Sequence, residues 1–498
     1  MNASLYIGAT GMTALSQGMN VLSNNIANVS TVGYKNQNIQ FSDLMYAQVA
    51  GTAYGDTDAN SLVGTSEKGY GVQVDTIRTS FTEGSFESSN NVTDLSIAGK
   101  GFYQLSTDNG ELYYTRAGNF NFTKDGYLQN SEGLSVMGWP VAENGEAAAS
   151  AEPVHVDMQA KMPSKASSSV SVAMNLGSTD DVSETTDAPY FSLLSGWDAS
   201  QTPPLNTTAY SYSQTLSLYG DDGVTHEVQL YLDGAPSTAD SNYVYEFLLA
   251  SVPEDATTAL SGDGLLMSGT LTFNSGGQLQ DMMAYTPATA GSQQLADWTP
   301  AALSGGLPQM TVDGQNVTLN FGVSQSGDTW TNAPATAAEV GTDGSKLGGM
   351  TNPATSSDAS TAYNGAFTTR QITQDGYPEG WLTDLNIESD GTIVADYSNN
   401  QRKDWYQLPI CNFTSEDGLR REGGNLFSQA PEAGELFMGV AGSSNFGTVQ
   451  AFSLESSNVD LATEMTNMII TQRGFQANSK VVSTADALLQ KAMELKRS

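Results

Sequence analysis

The stretch "LSNNIANVSTVGYK", residues Leu22 to Lys35, marks the point where a strongly patterned helix has to end. Before it, apolar and small residues form two rows in which members are seven residues apart. The first row is Leu5, Met12, Met19 and Ile26, and the second is Gly8, Leu15, Leu22 and Val29. Together the rows alternate by three and four residues, which is typical of a coiled-coil seam.

The asparagines of this stretch allow two interpretations. Asn24, Asn25 and Asn28 compete for backbone hydrogen bonds and Gly33 favours a left-handed turn, so the stretch is a helix end near Val29. In the second interpretation the same three amides also lie at contacts between subunits of an assembly. Both interpretations place a boundary between a helix and a connecting segment here.

A second helix is predicted at the other end of the chain. Ser457 followed by Asp460 is a helix-start signal of the capping-box type. A row seven residues apart follows at Leu461, Met468, Phe475, Val482 and Leu489. The companion row is half polar and consists of Met465, Gln472, Ser479, Asp486 and Met493.

We therefore predict that the two terminal helices pair with each other. The residues predicted to pack them are Leu5, Met12, Leu15, Met19, Leu22, Ile26, Leu461, Met468, Phe475, Val482 and Leu489. Because isolated helices of this length are marginal in water, we expect the ends to need neighbouring subunits and to be disordered in the monomer.

The region between the helices is predicted to be rich in β-strands. Alternating runs such as "HEVQLYL" and "TIVADY" are separated by hairpin signals. These signals are Asn109–Gly110, Asp125–Gly126, Asp222–Gly223, Asp233–Gly234, Asp313–Gly314 and Asp390–Gly391. The fold class is thus mixed, with helices at the ends and β-structure in the centre.

Composition narrows the possible partners. The 498 residues carry a formal net charge of −35, and no Lys or Arg occurs between Lys165 and Lys346. This charge argues against nucleic acid and anionic membranes as partners. No apolar run reaches the length of a membrane-spanning helix, and no secretory signal pattern is seen at the start, so we expect neither membrane insertion nor a cleaved signal.

Catalytic and metal chemistry find little support in the sequence. The histidines are His155 and His226, too few for a His-based triad or zinc trio, and Cys411 in a strand-like run is expected to be buried. Aspartate pairs, at Asp56 and Asp58 or at Asp221 and Asp222, lie beside glycine and indicate turns rather than calcium sites. We expect no enzyme activity and no cofactor.

Four segments resemble the axial proteins of the bacterial flagellum, most closely the hook proteins. They are "GMTALSQGMNVLSNNIANVSTVGYK", "GYGVQVDTIRTSFTEGSFESSNNVTDLSIAGKGFYQL", "YYTRAGNFNFTKDGYLQNSEGLSVMGW" and "GTVQAFSLESSNVDLATEMTNMIITQRGFQANSKVVSTADALLQ". Residues 207–249 also resemble the outer domain of hook proteins. Four separate matches in chain order are highly specific.

The resemblance implies a nested architecture. Residues 1–29 and 457–498 would form an inner coiled-coil tube, and residues 30–69 a connecting segment. Residues 70–150 and 363–456 would form a β-rich middle domain, and residues 151–362 an outer β-domain with one or two parts.

The resemblance also implies the function. The chain would be a subunit of the extracellular flagellar hook, a curved, flexible tube of identical copies that acts as a universal joint and transmits torque to the filament. The implied partners are further copies, the flagellar rod, the hook–filament junction proteins, the hook cap and the type III export gate. Phe41 and Met45 match the short pattern that hook-type subunits show to that gate, and the position of the pattern shortly after the N-terminal segment favours this role; the alternative is that both residues pack in the connecting segment.

Two other functions stay open on the sequence alone. A distal rod subunit shares the terminal segments but has a far shorter middle. A β-rich surface adhesin would explain the acidic, Ser/Thr-rich middle, but not the heptads at both ends.

Overall fold

The computed structural model describes residues 2–44, 47–49, 66–142, 144–177, 187–237, 242–251 and 264–497. The chain divides into two compact units. Unit 1 comprises Met1–Ala160 and Leu382–Ser498, and unit 2 comprises Lys161–Trp381.

Three α-helices are described: α1 (Asn2–Ala27), α2 (Ser192–Ser195) and α3 (Leu461–Arg497). Five 3-10 turns are described at Leu295–Asp297, Ala337–Glu339, Gly344–Lys346, Glu416–Gly418 and Pro431–Ala433. α3 begins directly after Asp460, whose carboxylate accepts a hydrogen bond from the Thr463 backbone N–H at 3.0 Å. Asp460 is therefore the N-cap of α3, satisfying one of the free N–H groups of the first turn.

The strands before unit 2 are β1 (Gln37–Asp43), β2 (Ala47–Val49), β3 (Ser66–Lys68), β4 (Val72–Thr79), β5 (Phe86–Ser88), β6 (Leu95–Ala98), β7 (Tyr103–Ser106), β8 (Leu112–Thr115), β9 (Asn121–Phe122), β10 (Leu128–Gln129), β11 (Ser135–Pro140) and β12 (Glu152–Pro153). Those of unit 2 are β13 (Lys161–Met162), β14 (Ser169–Asn175), β15 (Tyr212–Tyr219), β16 (Thr225–Ala235), β17 (Tyr243–Ser251), β18 (Leu265–Phe273), β19 (Leu279–Pro287), β20 (Trp298–Pro300), β21 (Leu303–Ser304), β22 (Leu307–Val312), β23 (Gln315–Asn320), β24 (Val323–Ser324), β25 (Ala354–Thr355) and β26 (Thr368–Gln374). The remaining strands are β27 (Gly380–Ile387), β28 (Thr392–Tyr397), β29 (Arg402–Gln407), β30 (Pro409–Phe413), β31 (Arg420–Gly423), β32 (Leu426–Ser428), β33 (Leu436–Val440), β34 (Thr448–Ala451) and β35 (Ser453–Glu455). This distribution confirms the predicted mixed fold, with paired terminal helices and a β-rich centre.

Unit 1 joins strands from both parts of the chain. Its largest sheet runs in the order β27–β28–β29–β11–β7–β8–β32–β31, and β6 and β5 pair with β34 and β35. An aromatic cluster fills its core, with Phe102 and Phe427 ring centres 5.8 Å apart. Cys411 belongs to this cluster and is fully buried, as predicted, and burial raises the pKa of its thiol to about 12. Strands from the N-terminal and C-terminal parts of the chain therefore build the same sheets of unit 1.

The two larger sheets of unit 2 share a buried core. Its six-stranded antiparallel sheet runs β15 to β20 in chain order, and its five-stranded sheet runs β21–β22–β23–β14–β26. Leu230 and Phe247 of the first sheet and Val172 and Leu319 of the second contribute to the same buried cluster.

The limits of unit 2 differ from the predicted insert of 151–362. β26 pairs antiparallel with β14, from Asn175 with Thr368 to Val170 with Gln374. The return segment after residue 362 is thus held in unit 2 by a backbone ladder. Strand periodicity carries no information about which sheet a strand joins, so the sequence pattern could not show this pairing.

Most of the predicted turns are confirmed. Asn109–Gly110, Asp222–Gly223, Asp313–Gly314 and Asp390–Gly391 each connect two paired antiparallel strands. Asp233–Gly234 was wrongly predicted as a turn. It lies inside β16, where Asp233 stands opposite Glu246 of β17. The apolar run on its N-terminal side continues the strand through the pair.

The predicted connecting segment 30–69 is partly a strand. β1 pairs with β4 over seven positions, from Gln37 with Thr79 to Asp43 with Val72. Residues 37–43 are therefore held by strand pairing with β4 and are not an isolated extended segment. Asp56 and Asp58 lie outside the described residues.

Candidate functional site

The two chain ends meet where α1 and α3 pack antiparallel along their length. A Cβ atom built on Gly8 would lie 2.6 Å from Val482 Cγ2, so the two helices approach closely at this point. Further contacts in the same register join Gly11 to Asn478, Leu15 to Gly474 and Gly18 to Thr471. The paired helices α1 and α3 therefore form one surface that is built from both the N- and the C-terminal segments.

Apart from Gly8, which belongs to the second predicted row, the most buried positions of α1 lie one residue before the predicted apolar rows. Its most buried positions are Gly8, Gly11, Ala14, Gly18, Val21 and Asn25. The residues predicted to pack the helices are only half-buried, namely Leu5, Met12, Leu15, Met19, Leu22 and Ile26. Small residues occupy the line of closest approach because they allow the backbones to come together, and the large apolar side chains flank it.

The seam of α3 contains four of the five residues predicted for it. Met468, Phe475, Val482 and Leu489 are half-buried, and Glu464 and Ala485 are buried between them. Leu461 was also predicted to pack, but its side chain is 45% exposed. In the register described above, α1 has already ended opposite Leu461. The companion row from Met465 to Met493 lies on the exposed side of α3.

The hydrogen bonds of Asn25 explain part of the polar composition of residues 22–35. Its side chain is fully buried, and its Nδ2 donates to the Gln37 carbonyl at 2.8 Å and reaches Glu464 Oε1 at 3.4 Å. Its Oδ1 accepts from the Gln37 backbone N–H and from the Tyr34 hydroxyl. Asn25 is therefore held by hydrogen bonds within its own chain, and a contact of this side chain with another subunit stays a prediction.

Asn24 and Asn28 have a different environment. Asn24 Nδ2 donates to the Tyr34 hydroxyl at 3.1 Å, and Asn28 Nδ2 donates to the Asn24 carbonyl at 2.8 Å. Thr31 Oγ1 donates to Asn28 Oδ1. These bonds close the end of α1, as the helix-end interpretation predicts. Asn24 is exposed and Asn28 half-buried, so they stay candidates for contacts with other copies.

The Gly33–Tyr34 pair fixes the chain as it leaves α1. Gly33 has φ +67°, and a Cβ atom on it would lie 2.5 Å from the Ala117 backbone nitrogen. Its N–H donates to the Glu455 carbonyl at 2.7 Å. Tyr34 is 4% exposed, and the guanidinium of Arg421 lies 4.9 Å from its ring centre. Only glycine combines this backbone angle with so close an approach.

Lys35, Glu455 and Arg116 form a buried ionic cluster, which we call the junction cluster. Lys35 Nζ lies 2.6 Å from Glu455 Oε1, and Arg116 Nε lies 3.0 Å from Glu455 Oε2. The side chains of Lys35 and Glu455 have no exposed surface and that of Arg116 has 3%. The cluster joins the exit of α1, the strand before α3 and the β-structure of unit 1.

The remaining hydrogen bonds of the junction cluster are also filled. Lys35 Nζ donates to the Thr82 carbonyl at 2.7 Å, and the Gly84 N–H donates to Glu455 Oε1 at 2.9 Å. Arg116 Nη1 donates to the carbonyls of Gly99 and Gly101, both at 2.8 Å. Burial lowers the pKa of Lys35, and the neighbouring Glu455 carboxylate opposes that effect. A buried ionic group with its bonds filled specifies one arrangement of the segments that carry it.

The predicted export pattern is only partly visible. Phe41 lies on β1, where its ring edge is 3.5 Å from the position that a Cβ atom on Gly18 would take, and 44% of the residue is exposed. Phe41 thus packs against α1, as the alternative interpretation expects. Met45 lies outside the described residues.

Sites for metal binding and membrane spanning are not seen in the described ranges. No group of three or more His, Cys, Asp or Glu in this part of the chain is positioned to hold a metal ion. No helix among the described residues is long and apolar enough to cross a membrane. The Nε2 N–H of His155 donates to the Asp125 carbonyl, and Asp222 caps its own turn by accepting from the Val224 N–H.

Sequence reasoning missed the three charged residues of the junction cluster and Glu464. A signal for Lys35 was present, because it ends the Gly-aromatic-Lys segment that resembles the flagellar axial proteins. Glu455 and Arg116 stand in ordinary strand contexts, and nothing local distinguishes them from exposed charges.

Four family models match the chain in order. Residues 5–35 match the flagella basal body rod protein, and residues 96–175 match the D1 domain of the flagellar hook protein FlgE/F/G. Residues 193–377 match the D2 domain of the flagellar basal body protein FlaE, and residues 450–495 match the C-terminal part of the flagellar basal body rod FlgEFG protein.

Relatives match over the whole length. The chain is 29% identical to the flagellar hook protein FlgE of Borreliella burgdorferi, with 100% of both chains covered. It is 27% identical to FlgE of Escherichia coli strain K12, with 98% of both covered. The crystal structure of Helicobacter pylori FlgE2 covers 74% of this chain and 100% of that one, at 14% identity and a TM-score of 0.45. With four domain models in chain order and hook proteins similar from end to end, the chain belongs to the flagellar hook protein family.

Proposed function

We propose that this chain is a structural subunit of the flagellar hook, outside the cell, and that copies of it polymerise into a curved, flexible tube. The tube acts as a universal joint that transmits torque from the rod to the filament. The relatives similar over the full length are hook proteins, which does not favour a rod subunit or an adhesin.

The exposed apolar surface of the paired helices carries this proposal. Ile469, Ile470, Val481 and Leu488 of α3 are each 47–63% exposed, and Tyr6 of α1 is 55% exposed. Large apolar side chains concentrated on one element mark a surface that another protein covers. Copies of the same helices are the occupants that a helical polymer supplies.

The junction cluster gives each copy a fixed starting geometry. Because Lys35 and Arg116 both bind Glu455, the two chain ends leave the β-structure of unit 1 at one defined point. The helices of every copy are thereby presented in the same way, which a regular polymer requires.

The composition of unit 2 suits contacts that are remade as the joint rotates. Residues 161–381 contain 23 acidic and four basic residues, a net charge of −19 out of −35 for the chain. Polar, hydrated contacts exchange more easily than dry apolar ones. We therefore assign sliding contacts between copies to unit 2 and stable ones to the helices.

Further partners follow from the same proposal. The ends of the tube would meet the rod and the hook–filament junction proteins, a cap would hold newly arrived copies, and the type III export gate would bind the unfolded chain near Phe41 and Met45. No catalytic step enters this function.

Immunogold electron microscopy of motile cells tests the proposal. Antibody against residues 264–330 should label only a short curved segment at the base of each filament. A control antibody against the filament protein should label beyond that segment. Gold over the whole cell surface would favour an adhesin, and gold on the straight shaft of extracted basal bodies would favour a rod subunit; either result would contradict the proposal.

A further inference from the structure

The helix α3 extends beyond its partner. α3 has 37 residues and α1 has 26, and the contacts of Gly8 with Val482 and of Gly18 with Thr471 fix their register. Continuing that register places the first residue of α1 opposite about residue 487. Residues 488–497, which we call the overhang, therefore extend roughly 15 Å past α1 at 1.5 Å per residue.

The overhang is apolar and basic. Leu488 is 55% exposed and Met493 is 63% exposed, although both are large apolar residues. The segment "LLQKAMELKR" carries three basic residues and one acidic residue. Lys491 pairs with Glu494 at 2.7 Å, which leaves an excess of positive charge on the segment.

The opposite end of α3 carries a second exposed apolar surface. Leu461, Met465 and Ile469 are spaced by four residues and are 44–53% exposed. We call these three residues the start patch. Asp460 directly before the patch is exposed, and residues 460–469 contain no basic residue, whereas Glu464 is buried and bonded to Asn25 of α1. The start patch is thus apolar with one exposed acidic neighbour, and the overhang carries a net charge of opposite sign.

We propose that the overhang of one copy packs on the start patch of the next copy. A polymer that grows along an axis needs two different surfaces on each chain, because a surface that pairs with itself closes a dimer. The overhang and the start patch are at opposite ends of one helix about 55 Å long. When the overhang of one copy binds the start patch of the next, each new copy leaves one free overhang or start patch, so the polymer can keep growing. This contact rests on the proposed function, since it exists only between copies in the tube.

Disulfide trapping tests the contact. The double variant Met465→Cys/Leu488→Cys is polymerised, oxidised mildly and separated on a denaturing gel. The two positions are 23 residues apart on one helix, about 35 Å, so a disulfide cannot form within a chain. Cys411 is fully buried and does not compete. We expect a ladder of covalent multimers from the double variant and none from either single variant.

Other outcomes separate the two proposals. Polymers that form normally but give no ladder would overturn the contact and leave the proposed function standing. Dimers from Leu488→Cys alone would show that overhangs pair with each other and would also overturn it. Failure of the unmodified chain to polymerise would contradict the proposed function, and the contact with it.

A charge substitution provides an independent test. Met465→Lys should raise the protein concentration needed for polymerisation at least tenfold, because it places a positive charge in the apolar contact, opposite the basic overhang. Gln472→Lys, at an exposed position on the same helix outside the start patch, should change it less than twofold. Equal effects of the two variants would overturn the contact.

Discussion

Lys35 and Glu455 are 420 positions apart in the chain, and their side chains form a fully buried ion pair of 2.6 Å. Arg116 binds the second oxygen of the same carboxylate at 3.0 Å. One carboxylate thus joins the start of the chain, its end and the β-structure between them.

Substituting Glu455 with Gln should destabilise unit 1 strongly. The variant leaves Lys35 and Arg116 buried without a counter-charge, and breaking a buried pair in this way costs about 3–5 kcal/mol. Lys491 and Glu494 offer a matched exposed pair on α3, for which Glu494→Gln should give no measurable change. Urea unfolding of the full chain measures both, and similar midpoints for the two variants would refute a structural role of the junction cluster.

Replacing Gly33 with Ala should be more costly than the backbone angle alone explains. Any residue other than glycine pays roughly 1–2 kcal/mol in the left-handed region, where Gly33 has φ +67° and Gly110 has φ +84°. A Cβ atom on Gly110 would meet nothing within 4 Å, whereas one on Gly33 would collide with Ala117. Gly110→Ala therefore measures the angle alone, and equal losses of thermal stability in the two variants would show that the close approach contributes nothing.

Gly8→Leu should separate α1 from α3 and prevent polymerisation. The new side chain would occupy the place of Val482 Cγ2, which lies 2.6 Å from the Cβ position. Adding Val482→Ala on the facing helix should restore much of the polymer yield, because it returns the lost space. Ala9→Leu, at the neighbouring exposed position, serves as the control. Polymer yields measured by sedimentation that show no rescue would argue against this register.

Unit 2 should become less stable as the pH rises from about 4.5 to about 8. Burial raises the pKa of Glu246 to about 8, with the Asp233 carboxylate adding to the effect, while bonds from Ser192 and the Leu193 N–H oppose it. Between these pH values the folded chain holds a proton that the unfolded chain has lost, so stability falls with rising pH and levels off above the folded pKa.

The variant Glu246→Gln isolates that contribution. Glutamine resembles the protonated acid in shape and cannot ionise, so the difference in stability between wild type and variant should change across this pH range. Urea midpoints at pH 5, 6.5 and 8 measure it. A constant difference over all three values would mean that Glu246 does not titrate in this range.

The sequence predicted the kind of fold better than its contacts. Heptad spacing identified both terminal helices, and Asp–Gly and Asn–Gly pairs identified most hairpins. The line of closest approach on α1 differs from the predicted rows at Gly11 and Gly18, which lie in the seam but contribute nothing to an apolar pattern. Asp233–Gly234 shows the opposite kind of error. This pair is typical of turns, but it lies inside a strand, where the side chain of Asp233 is buried.

The junction cluster could not be predicted from local sequence patterns. Whether a charge is buried depends on which distant segment covers it, and Glu455 meets Lys35 only after the sheet of unit 1 has brought both chain ends together. The partners of the Asn25 amide could not be predicted for the same reason, because β1 and α3 bring Gln37 and Glu464 to it.

Helical reconstruction by cryo-electron microscopy of tubes polymerised from the purified full-length chain tests the central claim most directly. The account predicts that α1 and α3 of every copy form the inner wall, paired in the register of Gly8 with Val482. Tubes whose inner wall is built from unit 2, or in which α1 pairs only with helices of other copies, would contradict it.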